Sequence, residues 1–465
     1  MDKRISFKLP VQVQTLLDIL CKSGRQGYIV GGCVRDTVMG ITPNDWDVAT
    51  DAHTDEIIGM FSEKGFRVIP TGVKHGTVTV MIKGRGYEVT TFRTDGEYSD
   101  YRHPDSVSFV NNIEQDLSRR DFTINAMAYN PEKGLIDPFN GISDLMENLF
   151  LRTVGDPNKR INEDPLRMMR AVRFSVRFSK KFSPELEKAV SERAHLIEKI
   201  SRERVNDEFV KILLCQYASD GVRMLSDTGL MKYICPDFMR LKGIKQIDRH
   251  HAGEDVYELT LKVIDYACPS RIVRLAAFLH DIAKPDTFSS DGMCTRFIDH
   301  EKRSAEKAKE FMTGMRFSVK DVRGVVNLIE NHMLLEDYDS SKSENDKKAY
   351  LRKVLVKVGC DNLKDFVQLY FADKKATPSY NIREYDKYEE IIGLFEQIRE
   401  EKIFSAADLE IDGKDIIALG VHKGPMIGKI LEYLMQMVLD DPSRNSRQEL
   451  IRLAAEYIKV GTGGK

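Results

Sequence analysis

Paired cysteines are missing from this chain. Its seven cysteines (Cys21, Cys33, Cys215, Cys235, Cys268, Cys294 and Cys360) are scattered with no CxxC pair. That argues against a zinc ribbon or a disulfide framework and leaves them as small buried hydrophobes. No run of about 18 uninterrupted apolar residues occurs, so no membrane-spanning segment is expected. The start, MDKRISFKLPVQVQTLLDIL, has neither a continuous apolar region nor a small-residue cleavage site, and a cytoplasmic location is expected by default. Net charge is almost absent at −2, which gives no whole-chain reason to expect a nucleic-acid partner. No tandem repeat is visible.

What is present is 42% hydrophobic and 31% charged residues, the balance of a soluble globular protein. At 465 residues the chain exceeds one ordinary core, so two to four domains are expected. Charge is locally uneven: Arg167 to Lys211 holds twelve Lys or Arg against seven Asp or Glu. Such a stretch suits a solvated helical face or a surface that tracks phosphates.

The richest stretch is Tyr28 to Asp51, YIVGGCVRDTVMGITPNDWDVATD. An apolar run meets Gly31 and Gly32 and passes into a helix-like segment carrying Arg35 and Asp36. Glycines there let backbone N–H groups approach a ligand, and a helix start adds partial positive charge, so phosphate is the natural guest. Asp45 and Asp47 follow in a segment that continues apolar. If it is a strand, both carboxylates face one side and form a Mg²⁺ site for phosphoryl or nucleotidyl transfer. Asp45 could equally cap a turn after Pro43 and Asn44.

Around this stretch the pattern is α+β. Val13, Leu16, Leu17 and Leu20 recur at helical spacing, and DAHTDEIIGMFSEKG reads as a helix capped by Thr54 and closed by Gly65. FRVIP, GTVTVMI and YEVTTF read as strands separated by glycine turns, and Glu88 in the last is placed to be a third acidic group. Thr94 to Phe109 reads as a mobile polar loop. From about Leu151 the pattern is helical throughout, apart from the polar linker SSKSENDKK and a frayed VGTGGK terminus.

Within NEDPLRMMRAVRFSVRF, Asp164 precedes Pro165 as good helix-cap chemistry, yet Asp164 and Arg167 also share one helical face. Together they offer an acceptor beside a donor. Cytosine and adenine each present an amino donor next to a ring-nitrogen acceptor, whereas uracil and guanine present the reverse. An Asp/Arg pair can therefore accept C and A and leave polar groups unpaired for U and G. Arg170 and Arg173 continue that face and would reach phosphates or sugar.

Four strings, GGCVRDTVMG, PNDWD, RRDFTINA and NEDPLR, resemble the class II tRNA nucleotidyltransferases, the family of CCA-adding enzymes and bacterial poly(A) polymerases. The resemblance implies a mixed-sheet nucleotidyltransferase head at 1–150 and a helical neck for base recognition and tRNA binding at 151–245. It continues with an HD-like helical domain at 246–340 and a tRNA-binding body and tail at 341–465. It implies a Mg²⁺ site at Asp45 and Asp47 with Glu88 assisting, a triphosphate held by Gly32, Arg35 and Arg120, and Gly31, Asp121 and Asn125 in support. Asp164 and Arg167 would read the base. The partners would be ATP, CTP and the tRNA acceptor arm, and the activity CMP and AMP addition to tRNA 3′ ends with release of pyrophosphate. A poly(A) polymerase or an enzyme adding only A would share this head, although the loop after the third strand accompanies A addition and favours complete CCA.

The string LHDIAKP also resembles the HD metal-dependent phosphohydrolases, with His280, Asp281, His300 and His332 in ligand order. Where those domains read YEHTL this chain reads YELTL, with Leu259 at the first-ligand position. Either His250 or His251 substitutes or the metal site is weakened. A structural HD-like domain is favoured over an active phosphohydrolase, with an HD hydrolase behind a dead head as the remaining rival.

Overall fold

Residues 7–102, 104–248, 250–379, 382–403 and 405–462 are described by the structure, a computed structural model. The chain divides into two compact units, Met1–Ile234 and Cys235–Lys465.

The first unit opens with α1 (Val11–Lys22), which buries Val13, Leu16, Leu17 and Leu20 as their spacing requires. β1 (Gly27–Val30), α2 (Gly32–Val38), β2 (Val48–Thr50) and α3 (Thr54–Glu63) follow. Next come β3 (Arg67–Gly72), β4 (Thr77–Ile82) and β5 (Arg85–Thr91). With β8 (Ala128–Asn130) and β9 (Gly134–Ile136) they form a seven-stranded sheet of order β3-β4-β5-β2-β1-β8-β9. All four residues of β1 are buried, as a strand paired on both sides and covered on both faces demands. Only the β2–β5 pairing is parallel within this sheet.

Local details depart from the sequence reading. The cap of α3 is His53 rather than Thr54, because Glu56 turns back to accept the His53 N–H at 2.9 Å. Thr94 to Phe109 is not wholly loop. It starts and ends in a ribbon of β6 (Arg93–Asp95) with β7 (Val107–Phe109), and of its residues His103 lies outside those described. Asp95 anchors the ribbon, accepting from Arg93 Nε at 3.0 Å and the Tyr98 hydroxyl at 2.7 Å.

The helical part of this unit comprises α4 (Ile113–Ser118), α5 (Gly141–Met146), α6 (Pro157–Glu163), α7 (Leu166–Arg177), α8 (Pro184–Arg193), α9 (Arg202–Leu213), α10 (Ala218–Asp227) and α11 (Met231–Ile234). The second unit is helical with two short ribbons, Lys245–Ile247 with Ala252–Asp255 and Phe288–Ser290 with Thr295–Phe297. There the polar stretch SSKSENDKK is only partly linker, since Ser343 caps the helix Glu344–Val358. The last helix runs to Thr462, and residues 463–465 lie outside the described chain.

Candidate active site

β1 hands over to Gly31, whose φ of +74° is a left-handed conformation that glycine adopts without penalty. A Cβ there would lie 2.6 Å from Arg120 Nη1, so the guanidinium rests against bare backbone. Asp116 holds Arg120 at 3.3 Å, yet the buried Arg120 Nε has no hydrogen-bond partner among the described residues. A buried donor left unpaired is costly, and here it marks a place where an anion would be welcome.

Asp45 and Asp47 precede β2 instead of lying in it, but the alternation holds, with Trp46 and Val48 buried and both aspartates exposed. The Asp47 carbonyl accepts from Val30 N–H at 3.0 Å, extending the pairing beyond β1. Across the parallel β2–β5 register Val48 faces Val89, which sets Asp47 beside Glu88 on the same open face. The Asp47 pKa is raised, first by crowding of protein atoms around a carboxylate still open to solvent on one side, then by Glu88; Asp45 adds to this and Arg120 opposes it. Asp45 is almost fully exposed, 3.5 Å from Arg85. Cys33 lies behind, its thiol pushed up to about 12 by burial and by Asp47, and so is a neutral packing group. Three carboxylates whose repulsion a divalent cation would relieve fit a metal site.

Arg35 is 5% exposed. Its guanidinium is bound by Asp36 and by Asn125 Oδ1 and lies 5.3 and 5.1 Å from the rings of Phe174 and Phe178. Asn125 passes the network to Asp121 at 3.0 Å, and Asp121 takes Arg170 of α7 at 2.5 and 2.8 Å. Burial would raise the Asp121 pKa, but Arg170 and Asn125 outweigh it and hold the carboxyl well below its usual range. Arg173 is likewise paired, with Glu208 of α9 at 2.6 Å. The structure thus links Arg35 of α2, Asn125, Asp121 and Arg170 of α7 in one network, and pairs Arg173 separately with Glu208 of α9, each cation already matched by a carboxylate.

Asp164 sits at the junction of α6 and α7. Its carboxylate is held by Arg204 at 2.8 Å and accepts Leu166 N–H at 3.1 Å, while Arg167 is bound to Glu163 at 2.5 Å. Among the described residues no ion pair joins Asp164 to Arg167. Sequence reasoning missed Glu163, Arg204 and Glu208. The signals were present, Glu163 inside NEDPLR and Arg204 with Glu208 four apart in RERVNDEF, but pairing across elements is invisible in a linear string.

The second unit holds another cluster. Asp281, His300 and His332 are buried with ligand atoms within 4.8 Å of one another. His280, His300 and His332 each place Nδ1 on a carbonyl three residues earlier, at 2.9, 2.9 and 2.7 Å, which fixes the tautomer and turns Nε2 inward. The three rings gather on one carboxylate: His280 Nε2 lies 3.3 Å from Asp281 Oδ2 and His300 Nε2 3.5 Å from Asp281 Oδ1. Asp373, which sequence reasoning did not select, lies 3.6 Å from His280 Nε2. These residues line a cavity whose wall includes the buried Leu259, and His250 and His251 line it too without joining the three-residue cluster.

Three family models match the chain: a poly A polymerase head domain over 27–151, a probable RNA and SrmB-binding site of polymerase A over 181–241, and a putative tRNA nucleotidyltransferase domain 2 over 289–454. A CCA-adding enzyme of Limosilactobacillus fermentum is 30% identical over 97% of this chain and 99% of its own length. One of Lactobacillus johnsonii is 33% identical over 91% and 92%. The crystal structure of the Bacillus stearothermophilus CCA-adding enzyme in complex with CTP superposes with a TM-score of 0.73 at 28% identity, covering 99% of this chain and all of that one.

Proposed function

This chain belongs to the family of CCA-adding enzymes and is a nucleotidyltransferase, and we propose that it adds CMP and AMP from CTP and ATP to tRNA 3′ ends without a nucleic-acid template. The observation that carries this reading is the open face on which Asp45, Asp47 and Glu88 converge beside Arg120. Asp45 and Asp47 would hold Mg²⁺, which supplies positive charge to the α-phosphate and acidifies the attacking 3′-hydroxyl. Glu88 orients that hydroxyl. Gly31 and Gly32 keep the turn free of side chains, and the Arg120 guanidinium resting against Gly31 would hold the triphosphate, whose pyrophosphate leaves.

Arg35 is paired and buried, so its part is to fix the backbone under the phosphates, with Asp121 and Asn125 as its relay to α7. Asp164 and Arg167 choose the base, and Arg170 and Arg173 brace α7, which carries Arg167 and begins just after Asp164. Residues 1–150 form the catalytic head, 151–245 the neck, and 246–340 and 341–465 an HD-like domain and a tail; the neck and tail would receive the tRNA acceptor arm through shape and phosphates. The chain works in the cytoplasm.

A second reading concerns the cluster in Cys235–Lys465. The clustering of the Nε2 atoms with Asp281 favours a divalent transition-metal site at Asp281, His300 and His332, with His280 and Asp373 at its edge. Leu259 removes one ligand, so the site is structural and takes no part in nucleotide addition.

The test of the head's role is Asp45→Ala and Asp47→Ala, assayed on a tRNA transcript lacking CCA. Both variants are expected to lose incorporation of CMP and AMP. Retained incorporation would move the chemistry elsewhere and revive the hydrolase rival.

A further inference from the structure

The β4–β5 hairpin turns on two left-handed residues, Lys83 with φ of +49° and Gly84 with φ of +79°, and its last pair is Ile82 with Arg85. So tight a turn fixes where the next strand begins. From there the parallel β2–β5 register takes over. Val48 is matched to Val89, and Asn44 and Arg85 each stand four residues before that pair, so the two meet at the head of the strands. Arg85 accordingly donates through Nη2 to the Asn44 carbonyl, and the same nitrogen lies 3.5 Å from Asp45 Oδ1. That distance is long for a hydrogen bond and short for a charge contact. Among the described residues Arg85 is the cation paired with Asp45, whose side chain, 94% exposed, has little packing to hold it.

A guanidinium and a divalent cation compete for one carboxylate. A cation held by Asp45 and Asp47 would bring two positive charges beside a third that a backbone carbonyl keeps in place, and charges so close oppose one another. The attraction that positions Asp45 is the one a metal has to replace. We propose that Arg85 is a positioning residue for the metal site: in the free enzyme it occupies Asp45, weakens binding of a divalent cation there, and gives Asp45 up when the cation arrives with a nucleotide. The anionic triphosphate supplies the negative charge that lets the guanidinium leave the carboxylate. Cation and nucleotide binding thereby become linked.

The inference rests on Asp45 and Asp47 holding the cation, and the experiment separates the two ideas. Trp46, the single tryptophan of the chain, is buried and stands between the two aspartates in sequence, so its fluorescence reads this site without a label. That signal is titrated with Mg²⁺ alone in the wild type, Arg85→Gln, Arg85→Lys and Asp47→Ala, and the Mg²⁺ dependence of CMP incorporation at saturating CTP is measured beside it. Arg85→Gln is expected to lower the midpoint of the fluorescence titration by about threefold to fivefold, the range open to an exposed ion pair, and to move the midpoint of the activity curve less. Arg85→Lys keeps the charge and is expected to stay near the wild type. If Asp47→Ala titrates as the wild type does, the metal-site assignment fails and the role of Arg85 fails with it. If Asp47→Ala loses the response while Arg85→Gln leaves the midpoint unchanged or raises it, the metal site stands and the role given to Arg85 is overturned. A fall of the same size in Arg85→Lys would trace the effect to side-chain shape instead of charge and would overturn it too, and equal shifts of both midpoints in Arg85→Gln would overturn the link to the nucleotide.

Discussion

Asp47 stands beside Glu88 across the parallel pairing of β2 with β5, and that neighbour helps to raise its pKa. A carboxyl whose folded pKa is raised binds its proton more tightly folded than unfolded. Its penalty on stability is absent below the unfolded value of about 3.9 and is complete once pH exceeds the folded value. Asp47→Asn should therefore abolish nucleotide addition without lowering the metal-free melting temperature at pH 7. Calorimetry beside a primer-extension assay checks this, and a Tm loss of several degrees would contradict it.

Glu88→Gln removes one of the like charges on Asp47. The acid limb of the Mg²⁺ dependence should then move to lower pH, because Asp47 loses its proton sooner, while kcat falls by about 10²-fold or more. Mg²⁺ titrations of activity from pH 5 to 8, in steps of about half a unit, read both effects.

Gly31→Ala meets two obstacles, a left-handed φ and a Cβ 2.6 Å from Arg120 Nη1. The backbone cost alone is about 1–2 kcal/mol. Displacing Arg120 should raise KM for CTP and ATP together and leave their ratio unchanged, since the triphosphate is common to both. A change in base preference would show that this turn does more than hold phosphate.

Asp121 is buried against Arg170, with its pKa held low. Its stabilisation is present above the unfolded carboxyl value of about 3.9 and is lost as pH falls through the lower folded value. Asp121→Asn should cost about 1–3 kcal/mol at pH 7. Denaturant melts should show this difference shrinking as pH drops below 4, and a difference independent of pH would rule out the ion pair as its source.

In the second unit, His300→Ala should abolish tight binding of Co²⁺ or Zn²⁺ to the intact chain, read by the cobalt absorption spectrum, with CCA addition unaffected. Wild-type protein that binds neither metal would leave the cluster a purely structural one.

The head was legible because its chemistry is written contiguously. The glycine turn and the alternation around Trp46 follow from local period and composition, whereas the parallel β2–β5 pairing that brings Glu88 beside Asp47 is set by tertiary folding. The partners of each charge were not legible. Arg35 carries a phosphate-binding motif position but is matched by Asp36 and Asn125, and Asp164 finds Arg204 forty residues on, because tertiary folding decides which carboxylate meets which guanidinium. Asp373 was missed for the same reason: a lone aspartate on a long helix carries no signal until that helix packs against His280.

The central claim is that one head and one Asp/Arg pair build C, C and A in order. Its most direct test is the product made on a tRNA transcript lacking CCA with all four nucleoside triphosphates present, read by length and sequence. The account predicts growth by CCA and arrest there, with CTP required before ATP. A long tract of A, addition of A alone without CTP, or incorporation of U or G at rates near those of C and A would contradict it.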